Sequence, residues 1–273
     1  PRKSKDFEIE YEKRCMLPQE ICDSIKNIEE LKHYICDLDI VILSGGGCMN
    51  YYWMAKHRLE KMVSILAPLI LARRENKKLI TLGNTFGPWG ECKDFFELIF
   101  QYLNFEHICV RDDLESISAV AQVGQTNKLV SVIDDLYFLD NSLKKEKRIY
   151  EKHFIVLELY LSLAELENQL ENIRAVVQNA KEQGLQVVFL AFGKEYGGEF
   201  QGEYLKQNIP ELILFQSGDF LKIEEAWNLI KYAEYVICDR YHSLVLAVAA
   251  ETPCLMYLRE INGNRKYYFN KGY

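Results

Sequence analysis

Short apolar runs alternate with longer amphipathic segments along most of the chain. In the first half the predicted strands are the apolar runs at 39–45, 77–83 and 107–112. The segment at 128–139 closes this half with a strand that ends at Asp134 and Asp135. The predicted helices are the segments with helical spacing at 57–76, 93–104 and 113–124. Pro68 lies inside the first of these helices and is expected to kink it or split it in two.

The same alternation continues after a charged segment at 140–153 that is predicted to be a linker. Further strands are predicted at 153–161, 185–192, 212–218, 235–239 and 254–258. Further helices are predicted at 164–184, 223–233 and 243–251, and residues 192–202 are predicted to be a glycine-rich loop. This order predicts an α/β protein with two doubly wound, Rossmann-like domains, at 1–147 and 148–273.

Composition narrows the functional classes. The chain has 273 residues, of which 49% are hydrophobic and 27% charged, and its net charge of −7 argues against a general nucleic-acid binder. No apolar run is long enough to span a membrane, and the polar start lacks the apolar region of a signal peptide.

The chain does not begin with Met, so a fragment or a processed chain is expected. Eight scattered cysteines without CxxC, and histidines without metal-ligand spacing, predict a cytoplasmic protein with reduced thiols and no metal site.

Two glycine-containing segments follow predicted strands, where the ligands of such folds bind. The first, at 44–50, contains Gly45, Gly46 and Gly47, which would let the backbone approach a ligand or simply form a tight turn. The second, at 82–90, is predicted to be a functional loop. Its Asn84 could bond a sugar or cap its own turn, and Gly87 belongs to the same candidate binding segment.

Charged residues mark three further strand ends. Arg111 could clamp a phosphate or carboxylate, or pair with nearby aspartates, while Asp112 and Asp113 are typical helix caps. A second position, with Asp134 and Asp135, could supply a general base for a sugar hydroxyl or pair with Arg111. In the second half, Lys194 lies in the glycine-rich loop, which could be a lid, an acceptor-binding loop or an ordinary surface loop.

Residues 239–242, DRYH, place Arg240 and His242 where a strand passes into a helix. Cations at a helix N-terminus oppose the helix dipole, so this placement favours a bound anion. The alternative is a self-satisfied cluster in which Asp239 pairs with Arg240 and His242 is an interior histidine.

Taken in order, these motifs resemble those of the polysaccharide pyruvyl transferase family, from about Leu31 to Tyr257. The motifs that carry the resemblance are GGG at 45–47, LGNTFGP at 82–88, VRD at 110–112, DLYF at 135–138, DRYH at 239–242 and TP at 252–253. The resemblance implies a GT-B-like fold and transfer of the enolpyruvyl group of phosphoenolpyruvate to a sugar of a cell-surface polysaccharide or its precursor.

The resemblance also implies roles for individual residues. Phosphoenolpyruvate would contact Arg111, Arg240 and His242, with His242 as general acid or phosphate stabiliser. The product would be a pyruvate ketal on a sugar or lipid-linked saccharide acceptor. No cofactor or metal is implied beyond the donor substrate.

Departures from the family pattern leave two alternatives open. No G-N-x-G-D-like loop precedes residue 44, so either the chain is truncated or its active site is incomplete. A GT-B sugar-nucleotide glycosyltransferase is the first alternative. Such an enzyme is expected to have two glutamates separated by seven residues, whereas eight residues separate Glu251 and Glu260. Glu251 also stands where the family commonly has Gly. A non-catalytic glycan-binding relative is the second alternative.

Overall fold

A computed structural model of the protein describes residues 28–54, 59–113, 115–139, 147–192, 198–216 and 221–257, without the side chains of residues 60 and 61. The chain forms two compact units, and along the sequence the first gives way to the second between Asp135 and Leu136. The predicted domain boundary at residues 147 and 148 stays a prediction.

The first unit alternates strands and helices. Its strands are β1 (Ile40–Leu43), β2 (Gly46–Met49), β3 (Lys78–Phe86), β4 (His107–Val110) and β5 (Leu129–Ser131). Its α-helices are α1 (Ile28–Cys36), α2 (Leu59–Arg74), α3 (Lys93–Leu103) and α4 (Glu115–Gln122). Short 3-10 helices occur at Tyr51–Met54, Gly90–Cys92, Thr126–Lys128 and Asp135–Phe138.

All strand pairs of the first unit are parallel. β1 pairs with the first half of β3, Ile40 opposite Lys78, and β2 pairs with the second half, Gly46 opposite Asn84. β1 and β2 therefore act as one interrupted strand beside β3, and β4 and β5 follow in order on the other side. Because the strands are parallel, their carboxyl ends lie along one edge of the sheet.

Four predictions for this unit differ in part from the structure. The glycines at 46–47 lie in a strand rather than a turn, and β3 continues through Phe86 instead of ending at residue 83. Pro68 lies inside a single helix, α2, which is not split. The strand predicted within 128–139 to run to Asp134 and Asp135 is only three residues long, and a 3-10 helix begins at Asp135. Glycine and proline often end strands and helices, but here the packing of buried neighbours overrides these local preferences.

The second unit has the same alternation. Its strands are β6 (Phe154–Glu158), β7 (Gln186–Leu190), β8 (Ile213–Phe215), β9 (Val236–Cys238) and β10 (Cys254–Met256). Its α-helices are α5 (Leu163–Glu182), α6 (Glu199–Asn208), α7 (Ile223–Lys231) and α8 (Tyr241–Ala249). The five strands form one parallel sheet in the order β10-β9-β6-β7-β8.

The strand order reverses at β6, because the chain first proceeds to β7 and β8 and then returns to β9 on the other side. Side chains of β6 alternate between two cores. Phe154 and Val156 join the core containing Trp227 of α7, and Ile155 joins the core containing Leu166 of α5. Helices therefore cover both faces of the sheet. The predicted α/β class with parallel sheets is confirmed.

One helix of this unit was missed. α6 begins inside the segment 192–202 that was predicted to be a loop. Gly202 lies within it, and an added Cβ there would come within 2.2 Å of Leu214 Cδ1. This glycine allows the helix to pack closely on β8, so it marks a helix–sheet contact rather than a loop.

Within the described ranges, no helix combines the length and the apolar character that crossing a membrane requires.

Candidate functional site

In the first unit, Arg111 lies just after β4 and its guanidinium is buried. Its Nη1 lies 2.5 Å from Asp134 Oδ2, and its Nε donates a hydrogen bond to Thr85 Oγ1 at 3.1 Å. Both members of the ion pair are less than a tenth exposed. The structure thus forms the Arg111–Asp134 pair that the sequence offered as one of two possibilities. Pairing offsets the desolvation of both charges.

Asp135 fits between two glycines at the same edge of the sheet. A Cβ added to Gly45 or Gly83 would lie 2.7 or 2.8 Å from an oxygen of its carboxylate. The backbone N–H of Gly45 donates to this carboxylate. Burial and the neighbouring Asp134 raise the pKa of Asp135, while the Gly45 N–H and Arg111 oppose this rise. Gly45 therefore makes room for a carboxylate of the chain itself.

The remaining candidate residues of this edge make backbone contacts. Asn84 is buried and its side-chain amide donates to the carbonyl of Leu43 at 3.1 Å, which ties β3 to β1. The carbonyl of Gly47 accepts from Asn50 Nδ2, and the N–H of Gly87 donates to the carbonyl of Met49. Gly46 lies in β2 with open space where a Cβ would be. Contacts of these residues with a substrate stay predictions.

Asp112 caps α4. Its Oδ1 accepts hydrogen bonds from the N–H groups of Glu115 and Ser116, at 3.1 and 2.8 Å. The predicted capping role of this aspartate is confirmed, and it stabilises the turn that carries Arg111.

In the second unit, a buried carboxylate lies where the strand order reverses. Glu158 is the last residue of β6 and is completely buried. Its Oε2 accepts hydrogen bonds from the backbone N–H of Arg240 at 3.1 Å and from the hydroxyl of Ser243 at 3.2 Å. Its Oε1 lies 3.1 Å from Arg240 Nε, an ion-pair contact without the alignment of a hydrogen bond. Glu158 thus holds the junction between β9 and α8.

The Arg240 guanidinium is packed between two aromatic rings. Its central carbon lies 4.5 Å from the ring centre of Tyr160 and 5.2 Å from that of Phe192. The side chain is 17% exposed, and its buried Nη2 has no hydrogen-bond partner within the described ranges. A fixed, partly desolvated guanidinium with spare donors is suited to binding a carboxylate or a phosphate.

The electrostatics of this junction are unusual. Burial raises the pKa of Glu158 to about 8, against the lowering effect of Arg240, and the nearby Asp239 raises it further. Asp239 is itself buried. Glu158 therefore holds a proton over much of the neutral range, and the positive charge of Arg240 is then not cancelled by it.

His242 lies in the first turn of α8 and is exposed. The helix begins after Arg240, whose side chain makes no capping hydrogen bond. The predicted helix N-terminus at this motif is confirmed. His242 is exposed rather than interior, so its imidazole is accessible from solvent.

Sequence reasoning missed Glu158, although a signal was present. A single glutamate inside the apolar run 153–161 is costly to bury and indicates a specific partner. Lys194, the other candidate of the second half, lies outside the described residues. Across the parts of the chain that are described, no group of three His, Cys, Asp or Glu side chains is arranged to hold a metal ion.

Comparison with known families gives one match. The family model described as polysaccharide pyruvyl transferase matches residues 2–259, nearly the whole chain. No curated protein matches the chain with significance.

Solved structures with a similar fold include sugar-modifying enzymes. A protein of Listeria monocytogenes described as UDP-N-acetylglucosamine 2-epimerase has a TM-score of 0.63 and 12% identity over 93% of this chain and 66% of its own. The UDP-GlcNAc 2-epimerase of Methanocaldococcus jannaschii has a TM-score of 0.57 and 10% identity over 98% of this chain and 81% of its own. An E. coli heptosyltransferase has a TM-score of 0.50 and 10% identity over 89% of this chain and 71% of its own.

These identities show the fold alone, and they confirm the predicted GT-B-like class. The chain spans 62–66% of the length of three of the epimerase structures that it matches.

Proposed function

Since the chain belongs to the polysaccharide pyruvyl transferase family, a family of transferases, we propose that it transfers the enolpyruvyl group of phosphoenolpyruvate to a sugar. The acceptor in this proposal is a saccharide of a cell-surface polysaccharide or its lipid-linked precursor. The product is a pyruvate ketal, and no cofactor besides the donor takes part. The proposed place of reaction is the cytoplasm.

The observation that carries the proposal is the position and the partly desolvated environment of the Arg240 guanidinium. Its guanidinium lies beside the reversal of strand order, where α/β sheets bind ligands, and it is clamped by Tyr160, Phe192 and Glu158. Phosphoenolpyruvate carries a carboxylate and a phosphate close together, and a guanidinium binds either group through two parallel hydrogen bonds. The buried Nη2 has its hydrogen-bonding capacity available within the described ranges.

The proposed reaction balances without an oxidant or reductant. One sugar hydroxyl adds to the carbon that bears the phosphate ester, and the methylene carbon takes up a proton and becomes a methyl group. Phosphate then leaves with the electron pair of its C–O bond, and a second sugar hydroxyl closes the ketal. Of the two hydroxyl protons, one is balanced by the methyl group and the other leaves with phosphate or solvent.

His242 is the proposed proton donor. It is exposed, it lies two residues after Arg240, and imidazole changes protonation near neutral pH. Arg240 would hold the donor anion while His242 delivers a proton to the methylene carbon or stabilises the leaving phosphate. Contact of Arg111 with phosphoenolpyruvate stays a prediction, because in the first unit its guanidinium is already bonded to Asp134 and Thr85.

Turnover with carbon-13-labelled phosphoenolpyruvate tests the proposal. The protein is incubated with the labelled donor and a mixture of lipid-linked saccharides, and NMR follows conversion of the vinyl methylene signal into a ketal methyl signal. We expect this conversion with wild type and its loss in His242→Ala and Arg240→Ala. Glu167→Gln, on the exposed surface of α5, is the matched control. Transfer of a sugar from UDP-glucose without consumption of phosphoenolpyruvate would instead favour a glycosyltransferase.

A further inference from the structure

Glu158 contacts the β9–α8 junction at three atoms. One oxygen accepts from the N–H of Arg240 and from the hydroxyl of Ser243, and the other touches Arg240 Nε. The backbone and the side chain of Arg240 are thus both positioned by one carboxyl group. The two Oε2 hydrogen bonds need only an acceptor oxygen, so a neutral carboxylic acid keeps both of them. They are stronger to a carboxylate, and they therefore oppose the rise in the pKa of Glu158.

Among the described residues, the charged and titratable groups around Glu158 come from β9, β10 and the start of α8. Arg240 and Asp239 lie at the end of β9, and Cys238 is opposite Glu158 in the strand register. A hydrogen bond with Cys254, together with burial, raises the pKa of Cys238, so its thiol stays neutral. Cys254 on β10 has a lowered pKa through the same contact. The adjacent end of β7, Phe189 and Leu190, is apolar, and α8 contributes the uncharged Ser243.

The two protonation states of Glu158 have different consequences for a ligand. As a carboxylate it cancels the charge of Arg240, and it also repels an incoming anion. As a neutral acid it keeps Arg240 in place and leaves the guanidinium charge to the ligand. Its complete burial makes the neutral form accessible, and an anion bound at Arg240 adds a further negative charge beside it.

We propose that Glu158 is the positioning residue for Arg240 and that an anionic donor binds to that guanidinium when Glu158 is neutral. Where the free protein holds Glu158 as a carboxylate, Glu158 therefore takes up one proton on binding. This inference rests on the proposed function for the identity of the donor. The proton comes from solvent and returns to it when the anion leaves. The only covalent bond of Glu158 that forms and breaks in this cycle is the O–H bond of its carboxyl group.

Binding of phosphoenolpyruvate measured between pH 7 and 9.5 tests the inference. At pH 7 most of the ligand phosphate is already doubly ionised and most of an ordinary imidazole is already neutral, so both change charge only slightly across this range. We expect the wild-type association constant to fall with rising pH, by up to about 30-fold at pH 9.5, because the pKa of Glu158 is about 8. Glu158→Gln, which mimics the neutral acid, should change by less than about threefold.

Two controls complete the experiment. Glu167→Gln should follow the wild-type curve, and Cys254 is present in all three proteins, so its titration cancels in the comparison. Calorimetry at pH 9 in buffers of different ionisation enthalpy should give uptake of about one proton per ligand in wild type. This second measurement is repeated with His242→Gln, so that uptake by the imidazole is separated from uptake by Glu158, and the inference stays testable if Glu158→Gln does not fold.

The outcomes separate the two proposals. A steep pH dependence in wild type that is absent in Glu158→Gln supports the inference. Binding with the same pH dependence in both proteins, or without proton uptake, overturns the role of Glu158 and leaves the donor assignment intact. If neither protein binds phosphoenolpyruvate at pH 7, the donor assignment and the inference that rests on it both fail.

Discussion

The buried carboxyl of Glu158 should make the stability of the protein depend on pH in a recognisable way. Burial raises its pKa to about 8 in the folded state, whereas in the unfolded chain a glutamate has a pKa of about 4. Below the lower value both states are protonated and Glu158 imposes no penalty. As pH rises toward 8 the unfolded state releases its proton and the folded state does not, so stability is lost across this window.

The size of the effect follows from the difference between the two pKa values. Each pH unit in the window costs at most about 1.4 kcal/mol, and the whole window costs on the order of 5 kcal/mol. Glu158→Gln has no proton to release, so its free energy of unfolding should lack this component. The variant alters its hydrogen bonds equally at every pH, and the difference from wild type should therefore shift in its favour by several kcal/mol between pH 5 and 9.

Urea denaturation followed by circular dichroism at pH 5, 6, 7, 8 and 9 measures the effect. Wild type, Glu158→Gln and the exposed control Glu167→Gln are compared at each pH. The free-energy difference between wild type and Glu158→Gln should change steadily up to about pH 8 and then level off, while the control runs parallel to wild type. Parallel curves for all three proteins would refute the reasoning, because Glu158 would then be ionised in the folded protein at neutral pH.

Other substitutions test the geometry of the fold, all by urea denaturation at pH 7. Glu251 adopts φ +58°, which suits glycine, so Glu251→Gly should stabilise the protein by about 1 kcal/mol, and no gain would contradict the assigned backbone conformation. Gly83→Ala should destabilise the protein by roughly 1–3 kcal/mol, because its Cβ would lie 2.8 Å from a carboxylate oxygen of Asp135. Gly46→Ala should be nearly neutral, because no atom lies within 4 Å of the added Cβ. Equal effects of the two substitutions would contradict the packing around Gly83. Arg111→Ala should lower the free energy of unfolding by about 3–5 kcal/mol, since Asp134 loses its buried partner. Adding Asp134→Ala should recover part of that loss. If the effects of the two substitutions simply added, the ion pair would be contradicted.

The fold class was predictable because most strands are continuous apolar runs and most helices have a clear period. The run at 235–239 became β9, and the helix expected from 164 became α5, which begins at Leu163 after the capping box of Ser162 and Glu165. At 82–90 and 192–202 the glycines led to the prediction of loops, whereas part of each segment lies in a strand or a helix. At Gly83 and Gly202 the glycine accommodates a side chain from another element, and such long-range contacts leave no local pattern.

The site was predictable only in part, for a related reason. DRYH was recognisable because two cations at a helix start conflict with the helix dipole. The partner that holds Arg240, Glu158, lies 82 residues earlier in the sequence, and only the reversal of strand order brings β6 beside β9. Similarly, no local pattern indicates that Gly45 faces Asp135. Roles of all these residues toward a substrate stay predictions.

The central claim is that Arg240 binds the anionic donor phosphoenolpyruvate. The most direct measurement is calorimetric titration of phosphoenolpyruvate at pH 7 into wild type and Arg240→Ala, with UDP and UDP-glucose as comparison ligands. We expect wild type to bind phosphoenolpyruvate in preference to both nucleotides, and Arg240→Ala to lose roughly 2–5 kcal/mol of binding free energy. Binding of the nucleotides without phosphoenolpyruvate, or unchanged phosphoenolpyruvate binding in Arg240→Ala, would contradict it.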